Sequence, residues 1–78
     1  MQYAKKEINV IFAWDDEAHV WMATSQDVYG LVMEHSSFGA LVERVRYGIM
    51  DLLEEGQIFE DISLNFDISR IERLVMSG

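Results

Sequence analysis

The stretch from Asp61 to Ile68 alternates without a break. Ile62, Leu64, Phe66 and Ile68 are apolar, while Asp61, Ser63, Asn65 and Asp67 are polar. Successive side chains of an extended chain point to opposite faces, so this run is a strand with one face for a core and one for water. A helix of the same sequence would scatter the apolar groups around its whole circumference. A lone amphipathic strand cannot bury its apolar face. The rest of the chain must therefore supply a sheet and a layer to cover it.

The remaining pattern supplies both. From Lys5 to Trp14, Ile8, Val10, Phe12 and Trp14 alternate with Glu7, Asn9, Ile11 and Ala13. Asp15, Asp16, Glu17 and Ala18 break that run, and Asp favours turns because its carboxylate accepts bonds from nearby backbone NH groups. His19 to Ser25 resumes the strand, with Val20, Met22 and Thr24 on one face and His19, Trp21, Ala23 and Ser25 on the other. Two strands so close in sequence predict an antiparallel hairpin. Residues Gln26 to Gly30 form a second connection, in which Gly30 can take a positive φ without steric cost. A short third strand spans Leu31 to His35. Ser36 and Ser37 are candidate N-caps for a helix over Phe38–Glu55, whose apolar stripe is Phe38, Leu41, Val45, Ile49 and Leu52. Gly56 stands where a glycine C-cap belongs. Gly48 inside the helix would be explained by a close approach of helix and sheet. After Ser69 the alternation fails, and Ile71, Leu74 and Val75 fit either a bulged continuation or a short helix begun at Ser69.

These elements predict one α+β domain over residues 1–78, of order β-β-β-α-β. Its mostly antiparallel sheet carries one helix packed on one face. One helix covers one face only. The other is expected to display Ile11, Trp21 and Ala23, and an exposed apolar sheet face is a docking surface or a liability.

Charge then narrows the function. The 78 residues carry a formal net charge of −8 and no cysteine. Binding to nucleic acid depends on Lys and Arg neutralising phosphates, so direct contact with it is not expected. An anionic membrane surface is disfavoured for the same reason. Without cysteine there is no disulfide staple and no thiolate metal site. No apolar run approaches the roughly 20 residues that cross a bilayer. Lys5, Lys6 and Glu7 come too early for a secretory signal, so a cytoplasmic location is expected. The acidic balance suits a soluble protein or one steered towards a basic partner. A domain this small buries only about 60% of its unfolded surface, and oligomerisation is a common remedy.

Catalytic patterns are weak. Asp15, Asp16 and Glu17 lack the spacing and glycine of a calcium loop, and consecutive residues at a strand end diverge. Asp15, Asp27 and Glu34 would have to converge from separate elements to make a two-metal site. His19 and His35 would need further ligands to hold zinc. No serine lies in a nucleophile elbow, and no glycine-rich phosphate loop occurs. Trp14 and Trp21 could stack bases only beside a basic groove. No catalytic residue, cofactor or metal is expected.

The run from Trp14 to Leu31, WDDEAHVWMATSQDVYGL, resembles the small HicB-like antitoxin domains. The likeness is to a short stand-alone subgroup of unknown function with a W-D-x-E-A-x-V-W-x-A-T-S-x-D-[IV]-x-G-L pattern. Glu34 matches a further acidic position, and Tyr29 departs from it where that subgroup usually has proline. The resemblance implies a β-β-β-α-β, partial RNase H-like fold without catalytic residues. It also implies a role in binding and blocking a small, basic, HicA-like mRNA interferase. The DNA-binding extension of longer HicB proteins is not expected here. Contacts to the toxin are not fixed to motif positions, so partner-binding residues are taken from charge and expected exposure. They are Asp15, Asp16, Glu17, Asp27 and Glu34, with Trp21 as an apolar anchor. Two other classes stay open: a self-assembling domain that forms a homo-oligomer through its sheet, and a metal-dependent nuclease on a degenerate fold.

Overall fold

The computed structural model describes residues 4–52 and 59–76. It contains β1 (Ala4–Asp15), β2 (Val20–Thr24), β3 (Val32–His35), α1 (Phe38–Leu52) and β4 (Phe59–Ser69). The four strands form one sheet in the order β3-β2-β1-β4. The β1–β2 and β2–β3 pairs are antiparallel, whereas β1 and β4 run parallel. The parallel pair follows from connectivity. Helix α1 carries the chain back across the sheet, so β4 enters at the same end as β1. The expected glycine cap at Gly56 lies outside the described residues. The segment after Ser69 is neither a strand nor a helix, and residues 70–76 are exposed.

The core lies between α1 and one face of the sheet. Ile8, Val10 and Phe12 of β1 meet Leu41, Val45 and Ile49 of α1, all buried. Phe12 packs against Phe38, tilted by 59° at 5.1 Å, and edge-on against Phe66 at 5.0 Å between ring centroids. Facing Leu64 to Ile8 and Phe66 to Val10, the β1–β4 register brings the alternating apolar residues of β4 to this same face.

The hairpin register corrects one expectation. Trp21 and Ala23 belong to the core face, not to the open one. Trp21 sits opposite Trp14, and Ala23 opposite Phe12. Trp21 keeps only 8% of its surface exposed, Ala23 none. Ile11 does lie on the open face, 43% exposed.

Local chemistry sets the ends of the elements. Asp15 Oδ1 accepts the backbone NH groups of Glu17 and Ala18 at 3.0 and 3.1 Å, so the first carboxylate of the acidic trio builds the turn. The turn ends on His19, whose φ of 55° is left-handed. The NH of Leu31 donates to the carbonyl of Val28 at 3.2 Å, closing a β-turn. Gly30 is its third residue, at φ 85°, as a type II turn demands. Ser37 caps α1, its hydroxyl accepting the Ala40 NH at 3.3 Å. A Cβ at Gly48 would collide with the terminal methyl of Met33, so helix and β3 approach closely there.

Candidate protein-interaction face

The open face of the sheet is defined by strand parity. It carries Glu7, Asn9, Ile11, Ala13 and Asp15 from β1, and Val20, Met22 and Thr24 from β2. Val32 and Glu34 join from β3, and Ser63, Asn65 and Asp67 from β4. Its centre is mostly apolar: Ile11 and Val32 flank Thr24 on either side, and Met22 is the next residue of β2 on this face, with Val32 67% exposed. Its rim is acidic, with Glu7, Asp15, Glu34 and Asp67. Among the described side chains no Lys or Arg faces this side. Arg44 and Arg46 are on α1, and Arg70 and Arg73 follow β4. An apolar centre within a charged rim is the ordinary layout of a protein interface.

A polar ladder fixes this surface. Asn65 Nδ2 donates to Glu7 Oε1 at 2.9 Å and to Asn9 Oδ1 at 3.3 Å. Asn9 in turn donates its backbone NH and its side-chain amide to Asp27 Oδ2, at 2.7 and 3.1 Å. The Ser25 hydroxyl donates to the Asn9 carbonyl at 2.6 Å and accepts the Asp27 NH at 3.1 Å. The loop before β3 is thereby tied to β1 where β2 has ended.

The six sequence-derived positions are not brought together. Asp15, Asp16 and Glu17 share the hairpin turn, where Asp16 Oδ1 also accepts the Trp14 indole NH at 3.2 Å. Glu34 is exposed on the open face, opposite Met22. Asp27 is occupied in holding the loop to Asn9. Asn9 is six residues from Asp15 along β1, about 20 Å in an extended strand. Asp15, Asp27 and Glu34 therefore form no common site. Trp21 is packed between Trp14 and Phe38, with ring centroids 5.4 and 4.9 Å away, and offers a partner almost no surface. Ile11, Met22 and Val32 take the place of the apolar anchor. The signal for them was the length of the turn. Any connection that pairs even positions of β1 with odd positions of β2 puts Trp21 on the side of Phe12 and Met22 on the other.

Reactive groups are engaged locally. His35 Nδ1 accepts the Ser37 NH at 2.8 Å, beside the start of α1. The His19 ring lies 6.2 Å from that of Trp14. Among the described residues no three His, Asp or Glu side chains are placed to hold a metal ion. A shallow open depression between β3 and α1, lined by Met33, Glu34, Arg44, Tyr47, Gly48 and Asp51, brings no acid–base pair into hydrogen-bond contact. Among the described residues no helix is long and apolar enough to cross a membrane.

The family described as "Domain of unknown function (DUF1902)" matches residues 7–77. The chain belongs to that family. The match takes in β1 from Glu7 onward, the other three strands and the helix, and with them the open face from Glu7 to Asp67. The hypothetical protein TTHA1013 from the extremely thermophilic bacterium Thermus thermophilus has a similar crystal structure. It is 30% identical, with a TM-score of 0.64, over 90% of this chain and 99% of that one. No curated protein gives a significant match.

Proposed function

We propose that this DUF1902 chain is a non-catalytic binding protein of the HicB-like antitoxin type. It neutralises a small, basic, RNA-cleaving protein and does not itself contact nucleic acid. One observation supports this above the others. The open sheet face has an apolar centre of Ile11, Met22 and Val32, an acidic rim, and no described cation. A basic surface docking there would find complementary charge and a desolvated centre. The likeness of residues 14–34 to HicB-like domains supplies the identity of the partner class. Asp16 and Glu17 extend the same negative field at the hairpin.

The test is a tagged pull-down from the native host at low and high salt, followed by an RNA-cleavage assay on the protein recovered. One small basic protein should appear, its recovery falling as salt rises. The purified chain should block its cleavage of RNA, and Glu34→Lys with Asp67→Lys should relieve the block. A recovered protein that cleaves RNA equally well with and without the chain would sink the proposal. So would full inhibition by the double variant.

A further inference from the structure

The β3 edge of the sheet and the side of the helix above it are left open together. β3 is an outermost strand. Its inner side pairs with β2, and its outer side is a sheet edge. Natural edges are blunted with lysine, proline or bulges, and the β3 sequence VMEH contains no lysine or proline. Helix α1 lies over β2 and β3 and turns one side beyond that edge. Arg44, Gly48 and Asp51, at i, i+4 and i+7, share this side. With Tyr47 they form the helix wall of the depression whose floor is Met33 and Glu34. Val32 and Tyr47 flank it, 67% and 66% exposed.

The charges of this strip stand in a definite order. Arg44 lies towards the start of the helix, and Asp51 follows about 10 Å further along the axis, with Gly48 near the midpoint. No ion pair among the described residues involves Arg44, Asp51 or Glu34. The strand below has its own midpoint beside Met33. The two midpoints coincide, because a Cβ at Gly48 would stand against the end of the Met33 side chain.

We infer that the β3 edge and this side of α1 form an interface with a second copy of the chain. A two-fold axis normal to the sheet passes beside Met33 and Gly48. The two β3 strands pair antiparallel, Met33 opposite Met33 and Val32 opposite Glu34, so that opposed residues share a face and no carboxylate meets another. The same axis lays the two helices antiparallel. Arg44 of each copy then comes level with Asp51 of the other, which gives two ion pairs related by the axis. With strands about 4.8 Å apart, helices centred over β2 and β3 come to lie about 10 Å apart, an ordinary spacing for packed helices. Gly48 leaves room between them. A uniformly basic partner would meet Arg44, and a uniformly acidic one would meet Glu34 and Asp51. A strip that carries both signs in this order fits itself.

Both open faces stay uncovered, on the same side of the joined sheet, so the interface does not depend on the antitoxin reading. The experiment is sedimentation velocity of the purified full chain across a concentration series. It is run at about 0.15 M salt, where the repulsion between two copies of net charge −8 is largely screened. A reversible dimer is expected. Arg44→Asp and Asp51→Arg each set like charges against one another at both ends of the contact, and each should weaken the dimer by about tenfold or more. An equimolar mixture of the two variants should recover it, because each contact then joins opposite charges. Both positions are exposed, so the circular dichroism of either variant should match that of the parent chain. Ile11→Asp, on the open face and away from this edge, should leave the dimer intact. A monomer at every concentration would overturn the inference, as would single variants that dimerise as well as the parent chain. A mixture that dimerises no better than its separate components would overturn it too.

Discussion

Gly30 and Tyr29 occupy the centre of a turn whose geometry each meets differently. At φ 85° an L-residue is strained, although nothing lies within 4 Å of where a Cβ would stand. The penalty for a side chain is therefore conformational and not steric crowding. Gly30→Val should cost about 1–2 kcal/mol. In a chain of this size that lowers Tm by about 4–8 °C per kcal/mol, and calorimetry at low protein concentration reads it directly. Tyr29 is the second residue of the same turn and 98% exposed, so it contributes no packing. Proline is favoured there because its ring presets φ near −65°. Tyr29→Pro should stabilise the fold by about 0.4–1 kcal/mol through a less disordered unfolded state. Lower stability in that variant would mean that Val28, buried and next to the new ring, cannot adopt the conformation proline imposes on its neighbour.

At the scale of elements, pattern alone carried most of the architecture. Strict alternation located β1 and β4, and a stripe at helical spacing with Ser37 before it located α1. The glycine and serine positions were legible because each has a local reason: Gly30 a left-handed turn, Ser37 a free helix NH. Facing within β2 was not legible from that strand by itself. Val20, Met22, Trp21 and Ala23 are apolar on both sides, so period two identifies two sets without saying which is inward. The parallel direction of β4 was hidden for a related reason, since it depends on how far α1 carries the chain. The left-handed His19 had no signal at all. As for the candidate site, its acidic rim was partly readable through Asp15 and Glu34, while its apolar centre needed the register.

Gly48 makes the helix–sheet contact testable. An exposed helical glycine replaced by alanine should gain about 1 kcal/mol. Here the new methyl meets the end of the Met33 side chain, which is flexible but packed against the core. Gly48→Ala should therefore gain less than that amount, and the full gain should return in a Met33→Val background. A double-mutant cycle by urea unfolding isolates the coupling. Phe66 tests the other end of the sheet. It is half-buried and edge-on to Phe12, so Phe66→Ala should cost about 2 kcal/mol, below the ~3–5 kcal/mol of a fully buried ring.

For the whole molecule, the −8 charge is concentrated by topology. Glu34 on β3 and Asp67 on β4 are three strands apart on the open face, about 15 Å at ordinary strand spacing, with Asp15 and Glu7 on β1 between them. At roughly 0.01 M salt the Debye length is about 30 Å and every member of this set feels the others. Near physiological salt it falls to about 8 Å, and the repulsion across the sheet is largely screened. The fold should therefore gain stability as salt rises over this range, with the steepest change below about 0.1 M. Glu34→Lys should flatten the dependence by placing a cation among the carboxylates. Thermal melts at low protein concentration, with and without Glu34→Lys, separate this field from specific contacts. A Tm that does not respond to salt would mean that the rim carboxylates are too well solvated to repel one another. The acidic face would then speed the approach of a basic partner without having cost the free chain any stability.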